Sequence, residues 1–198
     1  MGLNPIALPA EQPALITPRF LLRRFVDTDA PRVQLLAGDN AVAEPTLHIP
    51  HPYPDGVAEA WIAGQLQEWA ESRRAVWAIT RSDDGLLLGT IDLFFRLARR
   101  LAGTGYWVGR EYWGQGVATE ALGAVIEWGF DSIGLHRIEA SHLARNPASG
   151  RVMEKAGMRF EGTQRESVMW RGRFEDMAHW AVLASDPRPA ISSATATR

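Results

Sequence analysis

The chain of 198 residues contains no cysteine. That one absence removes disulfides, thiolate-bound zinc and a covalent cysteine nucleophile together. Also missing is any run of about 18 consecutive apolar residues, the length a membrane-spanning helix needs. The N-terminal stretch carries Glu11 with Pro5, Pro9 and Pro13, where a secretory signal would need an uninterrupted apolar core. Charge of one sign is lacking too: 21 basic and 23 acidic residues leave a formal net charge of −2, so no broad basic face for nucleic acid is implied. There are no internal repeats. These absences lead us to expect a soluble cytoplasmic protein with no membrane partner and no direct nucleic-acid partner.

What is present is a 46% hydrophobic chain, long enough for one domain with a substantial core. Its organising stretch runs from 105 to 130. Gly105-Tyr106-Trp107-Val108-Gly109 reads as a strand, Trp113-Gly114-Gln115-Gly116 as a turn, and Val117, Ala121, Leu122, Val125, Ile126 and Phe130 fall at helical spacing. A turn of this kind aims backbone N–H groups and the positive end of the helix dipole at one spot, which suits an anion. Gly114 and Gly116 let a phosphate approach the backbone closely. Two glycines two apart also occur at ordinary tight turns, so spacing alone leaves the plain turn open. A P-loop would need Lys-Ser or Lys-Thr where Val117-Ala118-Thr119 stands, and a dinucleotide fingerprint would need glycine at Thr119. A pyrophosphate cradle of main-chain amides is the remaining nucleotide reading.

Taken in order, residues 1–16 read as a loosely ordered lead, 17–184 as one domain and 185–198 as a disordered tail rich in Pro, Ser, Thr and Ala. A strand over 19–25 precedes a short helix opened by Asp27-Thr28-Asp29. Four prolines in 39–54 bar long regular structure, and His48, His51 and Tyr53 could line a substrate entrance there or belong to a pinned surface loop. Asp55 can cap a helix to about Arg73, and Asp83-Asp84-Gly85 joins two strands as a hairpin. The segment 137–143 should pair parallel to 105–109 through a right-handed crossover. Asn146-Pro147-Ala148-Ser149 opens a last helix, and Arg171-Gly172-Arg173 turns a closing hairpin whose apolar character makes a homodimer an expectation. His48 and His51 lack a third ligand nearby, so no metal site is expected. The tryptophans Trp61, Trp69, Trp77, Trp128 and Trp180 read as fillers of core or shallow pockets rather than as an aromatic cofactor box.

Seven segments then occur in a recognisable order: Thr17-Pro18-Arg19-Phe20-Leu21-Leu22-Arg23, Gly105-Tyr106-Trp107-Val108, Tyr112 through Ala121, Arg137-Ile138-Glu139-Ala140, Asn146-Pro147-Ala148-Ser149, Glu154-Lys155-Ala156-Gly157-Met158 and Glu161-Gly162. Over residues 17–183 the chain resembles the GNAT superfamily of N-acetyltransferases, and within it the RimJ/RimL-like branch that acetylates N-terminal amines of ribosomal proteins. The resemblance implies an α+β fold, layered α/β/α, with a mixed but mostly antiparallel twisted sheet of about seven strands, a central βαβ crossover and about four helices. It implies acetyl-CoA as co-substrate and no metal. Cofactor contacts would come from Trp107, Val108, Gly109, Trp113, Gly114, Gln115, Gly116, Val117, Ala118, Thr119 and Asn146, with Trp113 standing where relatives carry Gln or Arg. The strand bearing Trp107 should splay from the one bearing Arg137, and an amide near Val108 should polarise the thioester carbonyl.

The chemistry needs a neutral amine and a proton for the leaving thiolate. Deprotonating a lysine side chain of pKa about 10.4 at pH 7 costs about 4.6 kcal/mol, and an α-amino group near 7.7–8.0 only about 1–1.4. An N-terminal α-amine is therefore the expected acceptor, with a small-molecule amine or a non-catalytic acyl-CoA-binding role as alternatives. By the resemblance Glu139 is the candidate base, or else a carboxylate that holds strands together. Met153 stands where many relatives place an acidic Tyr, which leaves Ser149 as the candidate acid or a helix cap. Glu120 suits the helix dipole, and a role as base stays open. His48 and Tyr53 are the candidate substrate contacts.

Overall fold

Eight strands form one open sheet in the computed structural model of the protein, which describes residues 6–189. They are β1 (Leu15–Ile16), β2 (Phe20–Arg23), β3 (Arg74–Arg81), β4 (Leu87–Arg96), β5 (Leu101–Val108), β6 (Arg137–Leu143), β7 (Arg159–Trp170) and β8 (Arg173–Leu183). The order across the sheet is β1-β2-β3-β4-β5-β6-β8-β7. Neighbours run antiparallel except β5 and β6, which are parallel because a helix carries the chain between them. The helices are α1 (Ala30–Ala37), α2 (Asn40–Ala43), α3 (Val57–Ala70), α4 (Val117–Asp131) and α5 (Pro147–Lys155).

Alternation along the strands divides the core between two faces. Trp77, Ile79, Ile91, Leu93, Ala102 and Ile138 pack with Val117, Ala121, Val125 and Trp128 of α4. Val76, Ala78 and Leu87 point the other way and pack with Ala30 and Val33 of α1 and Ala58 and Ile62 of α3. Trp128 meets Trp77 edge-on, ring centres 5.2 Å apart, which locks α4 onto the sheet. The layering and the mostly antiparallel sheet agree with expectation, with eight strands for about seven and five helices for about four.

The differences are local and have causes. Residues 6–16, expected to be loose, are tied down: Pro13 and Ala10 carbonyls accept from the Trp77 and Trp69 indoles, and Leu15–Ile16 pairs with β2 as an edge strand. In the proline-bearing stretch 39–54, Asp39 caps the short α2 by accepting from Ala41 N–H. Asp55 does not cap α3, which starts behind Gly56, and instead accepts from Gln34. The third long sheet segment begins at Leu101 rather than Gly105. The start of the expected tail stays on the domain, with Asp186 paired to Arg159 and Arg188 to Asp131. Residues 1–5 and 190–198 of the expected lead and tail lie outside the described residues.

β5 and β6 pair only from Leu101↔Arg137 to Thr104↔Ala140. Beyond that, β5 stays with β4 as far as Val108↔Gly89 and β6 stays with β8 as far as Leu143↔Met177. The sheet is split there, and the split opens a cleft of about 1140 Å³.

Candidate active site

The cleft floor is the turn into α4. Gly114 and Gly116 take φ values of +75° and +79°, a left-handed bend that residues with a Cβ adopt only with strain. Gly116 precedes α4 with no side chain capping the helix, so its leading amides are left to face the cleft. The turn is braced from below. Glu120, one turn into α4, accepts from Thr17 Oγ1, from Arg19 N–H and from Arg19 Nε, while Arg19 Nη1 donates to Gln115 O. Glu120 is thus a strut joining the α4 turn to the β2 approach. A rigid nest of main-chain donors at a helix N-terminus fits a diphosphate.

Above the floor lies the tip of β5. Gly109 N–H donates to Leu88 O of β4, so by strand alternation the polar groups of Val108 turn the opposite way, toward the split. Val108 O is met by the Trp113 indole N–H at 2.7 Å. Trp113 therefore ties the turn to the strand tip.

On the α5 side, the Tyr106 hydroxyl lies 2.8 Å from Ser149 Oγ and 3.0 Å from Ser149 O. Burial pushes the Tyr106 phenol up to about 12, so it keeps its proton at neutral pH. Ser149 is hydrogen-bonded across the split, and Asn146, the residue before α5, makes no side-chain cap either. Next to them His142 is buried with both ring nitrogens engaged: Nε2 accepts from the Trp180 indole and Nδ1 faces Leu143 O, which fixes the neutral Nδ1–H tautomer. Met153 is 2% exposed and can donate nothing.

The opposite wall is made of charged side chains on strands. Arg74 and Asp92 pair at 2.5 Å, Arg74 stacks on Phe94 at 4.2 Å, and Asp92 Oδ1 accepts from Gly105 N–H. Burial raises the Asp92 carboxyl, against the charge and hydrogen bond of Arg74. Further along, Glu139 lies between Arg96 at 2.6 Å and Arg137 at 3.4 Å, and Arg137 also holds Glu161. His179 Nε2 is buried with no protein partner.

Most of the sequence-derived residues meet at this cleft. Trp107, Val108, Trp113, Gly114, Gly116, Val117, Ala118, Thr119, Asn146, His48, Tyr53, Glu139 and Ser149 all line it. Two of the expected cofactor contacts do not. Gly109 is roofed by α1, with Leu36 Cδ2 2.7 Å from where its Cβ would stand, and Gln115 turns away to donate to Glu111 O. Sequence reasoning missed Arg74, Asp92, Tyr106 as a donor, and His179. For Asp92 there was a signal, a lone carboxylate within the apolar run of β4, a residue type rarely buried without a partner.

Residues 19–159 match the family model described as the acetyltransferase (GNAT) domain. The Uncharacterized N-acetyltransferase YoaA of Bacillus subtilis (strain 168) is 32% identical over 86% of this chain and 97% of its own length. The chain belongs to the GNAT acetyltransferase family. The GNAT reaction class comes with that membership: transfer of an acetyl group from acetyl-CoA to an amine. Probable N-acetyltransferase YjcK, also of Bacillus subtilis (strain 168), is 42% identical over 54% of this chain and 60% of its own length, so that match spans only part of the relative. The [Ribosomal protein uS5]-alanine N-acetyltransferase of Escherichia coli (strain K12) is 26% identical over 88% of this chain and 93% of its own length. Among solved structures, a GNAT-family acetyltransferase from Bacillus anthracis superimposes with a TM-score of 0.79 at 23% identity, covering 87% of this chain and 99% of that one. The microcin C7 self-immunity acetyltransferase MccE, solved with acetyl-CoA and AMP, gives 0.77 at 17% identity over 84% and 93%. Among the described residues, no helix is long and apolar enough to cross a membrane and no cluster of side chains is placed to hold a metal ion.

Proposed function

We propose that the protein acetylates the α-amine at the N-terminus of a protein, of the ribosomal kind. The observation that carries this reading is the division of the cleft. The α4 turn and the β5 tip offer main-chain groups suited to the diphosphate and pantetheine of acetyl-CoA, and the other wall remains free for a second substrate. The whole volume, about 1140 Å³, exceeds the roughly 300–1,000 Å³ of a small-molecule pocket, which leaves room for a chain end beside the donor. The acceptor wall offers one buried carboxylate, Asp92, paired to a single guanidinium beside the Arg96–Glu139 and Arg137–Glu161 pairs, a modest aid that matches the modest cost of deprotonating an α-amine. The relative that acts on the alanine of ribosomal protein uS5 supports the same acceptor class.

In this reading the Val108 main chain meets the thioester, Ser149 delivers a proton to the leaving sulfur, and Tyr106 supports that hydroxyl. Glu139, shared by two guanidinium groups, orders the acceptor wall. Thiol release measured with peptides bearing free N-termini, the same peptides N-blocked, and a panel of small amines tests the proposal. Turnover confined to free N-termini is expected. Turnover confined to small amines would replace the acceptor, and coenzyme A binding without turnover of anything would make the protein a binding module.

A further inference from the structure

Asp92 belongs to no segment that led to the family, and its placement is specific. It faces Gly105 across the β4–β5 pairing, and Gly105 is the first residue of β5 beyond the last β5–β6 pair, Thr104↔Ala140. The carboxylate therefore sits at the apex of the split, on the wall opposite Ser149. Glu139, by contrast, pairs with Gly103, inside the closed part of the sheet, and is shared by two guanidinium groups. Asp92 has one guanidinium and one neutral amide, each on a different oxygen, which leaves a lone-pair site on both oxygens for an N–H donor. The residue is 5% exposed and is among those that line the cleft.

We propose that Asp92 is the general base of the reaction, taking the proton of the acceptor ammonium at the apex of the split; this rests on the α-amine reading above. The proton balance closes. Of the three protons on the ammonium nitrogen, one goes to the Asp92 carboxylate and later to water, one replaces the proton that Ser149 gives to the departing sulfur, and one stays on the amide. The nitrogen lone pair forms the C–N bond, and the C–S bond breaks with its electron pair leaving on sulfur. Burial favours the protonated form of Asp92, which brings its basicity closer to that of an α-amine than an exposed carboxylate would be. The charged groups that share its surroundings are Arg74 on β3, Glu68 of α3 behind Arg74 at 3.7 Å, Arg96 further along β4, and Arg137 and Glu139 on β6.

The test compares full-length wild type with Asp92→Asn, using acetyl-CoA and a free-N-terminus peptide and following kcat/KM from pH 6 to 9.5. The amide can still accept from Gly105 N–H but cannot take a proton. At pH 7 the expected loss is about 100-fold, the lower end for a general base. It should shrink as pH rises past about 8, where an α-amine is already neutral. A purely structural role would give a loss that does not depend on pH, and that result, or no loss at all, overturns the proposal. Coenzyme A affinity by calorimetry shows whether the variant is folded. Should it not fold, 13C-carboxyl NMR of the wild type decides: Asp92 titrating above the ordinary carboxylate range supports the base, and below it overturns the base. Wild type that turns over no amine would instead sink the acetyl-acceptor reading and this inference with it.

Discussion

The two walls of the cleft are built from different materials. The donor wall is main chain: left-handed glycines, the leading amides of α4 and the free edge of β5, with side chains such as Glu120 and Trp113 serving to brace backbone. The acceptor wall is side chain: Arg74, Asp92, Arg96, Glu139, Arg137 and Glu161, brought together from β3, β4, β6 and β7. A backbone site recognises groups common to every acyl-CoA and tolerates change in most side chains that border it. A side-chain site can be rewritten one substitution at a time. On the proposed reading, the contrast would let one scaffold keep its donor while its acceptor changes.

The sharpest way to break this contrast is to attack the donor wall where a side chain does matter. Gly116→Val puts a β-branched residue at φ +79° and sets its Cβ about where Arg19 Nη2 comes within 3.1 Å. Strain of about 1–3 kcal/mol should weaken coenzyme A binding by roughly 5- to 150-fold in calorimetry. The acceptor wall should keep its chemistry, so the shape of the pH profile at saturating acetyl-CoA should not change. A shifted profile would mean that the two walls are coupled and the division is false.

A smaller effect is expected where the walls meet. Tyr106 and Ser149 join β5 to α5 across the split. Replacing Tyr106 by Phe removes the hydrogen bonds to Ser149 O and Ser149 Oγ; the one to Oγ, which bears on the reaction, is worth about 0.5–1.5 kcal/mol, or roughly 2- to 13-fold in rate. The loss should fall on kcat, with coenzyme A affinity unchanged, and Ser149→Ala combined with Tyr106→Phe should cost less than the two losses multiplied. Full additivity would separate the two hydroxyls and leave Ser149 to act alone.

The two walls also differ in how far the chain betrays them. Turns announce themselves, because only certain residues tolerate the backbone they need: Gly114 and Gly116 mark the cradle, and Asp83-Asp84-Gly85 and Arg171-Gly172 mark hairpins that close as β3–β4 and β7–β8. Main-chain sites are legible for that reason. Ion pairs between strands are not, since Arg74 and Asp92 meet across 18 residues and Arg137 and Glu161 across 24, with nothing local to say which partner each takes. Gly109 shows the same limit: Leu36, far away in the chain, has its side chain 2.7 Å from where a Cβ would stand, and nothing local announces that neighbour. The N-terminal lead was readable only backwards, from the need of the buried Trp69 and Trp77 indoles for acceptors.

The smallest effect is in stability, and it sharpens what the acceptor wall is for. Glu161 is held below its ordinary 4.5 chiefly by the hydrogen bonds of Arg137, with burial opposing and the charge of Arg137 adding to the drop. A carboxyl depressed on folding contributes stability that is present above its unfolded pKa and is lost as pH falls through the folded value. Glu161→Gln should therefore lower stability slightly at pH 6 to 7, by well under about 1 kcal/mol once solvent screening of this exposed pair is allowed for, read as a small drop in melting temperature. The difference from wild type should fade as pH falls below the ordinary 4.5 and through the depressed folded value, and it should shrink in high salt. If it survives both, Glu161 acts by packing, and the wall is not the charge lattice that distinguishes it from the backbone-built side.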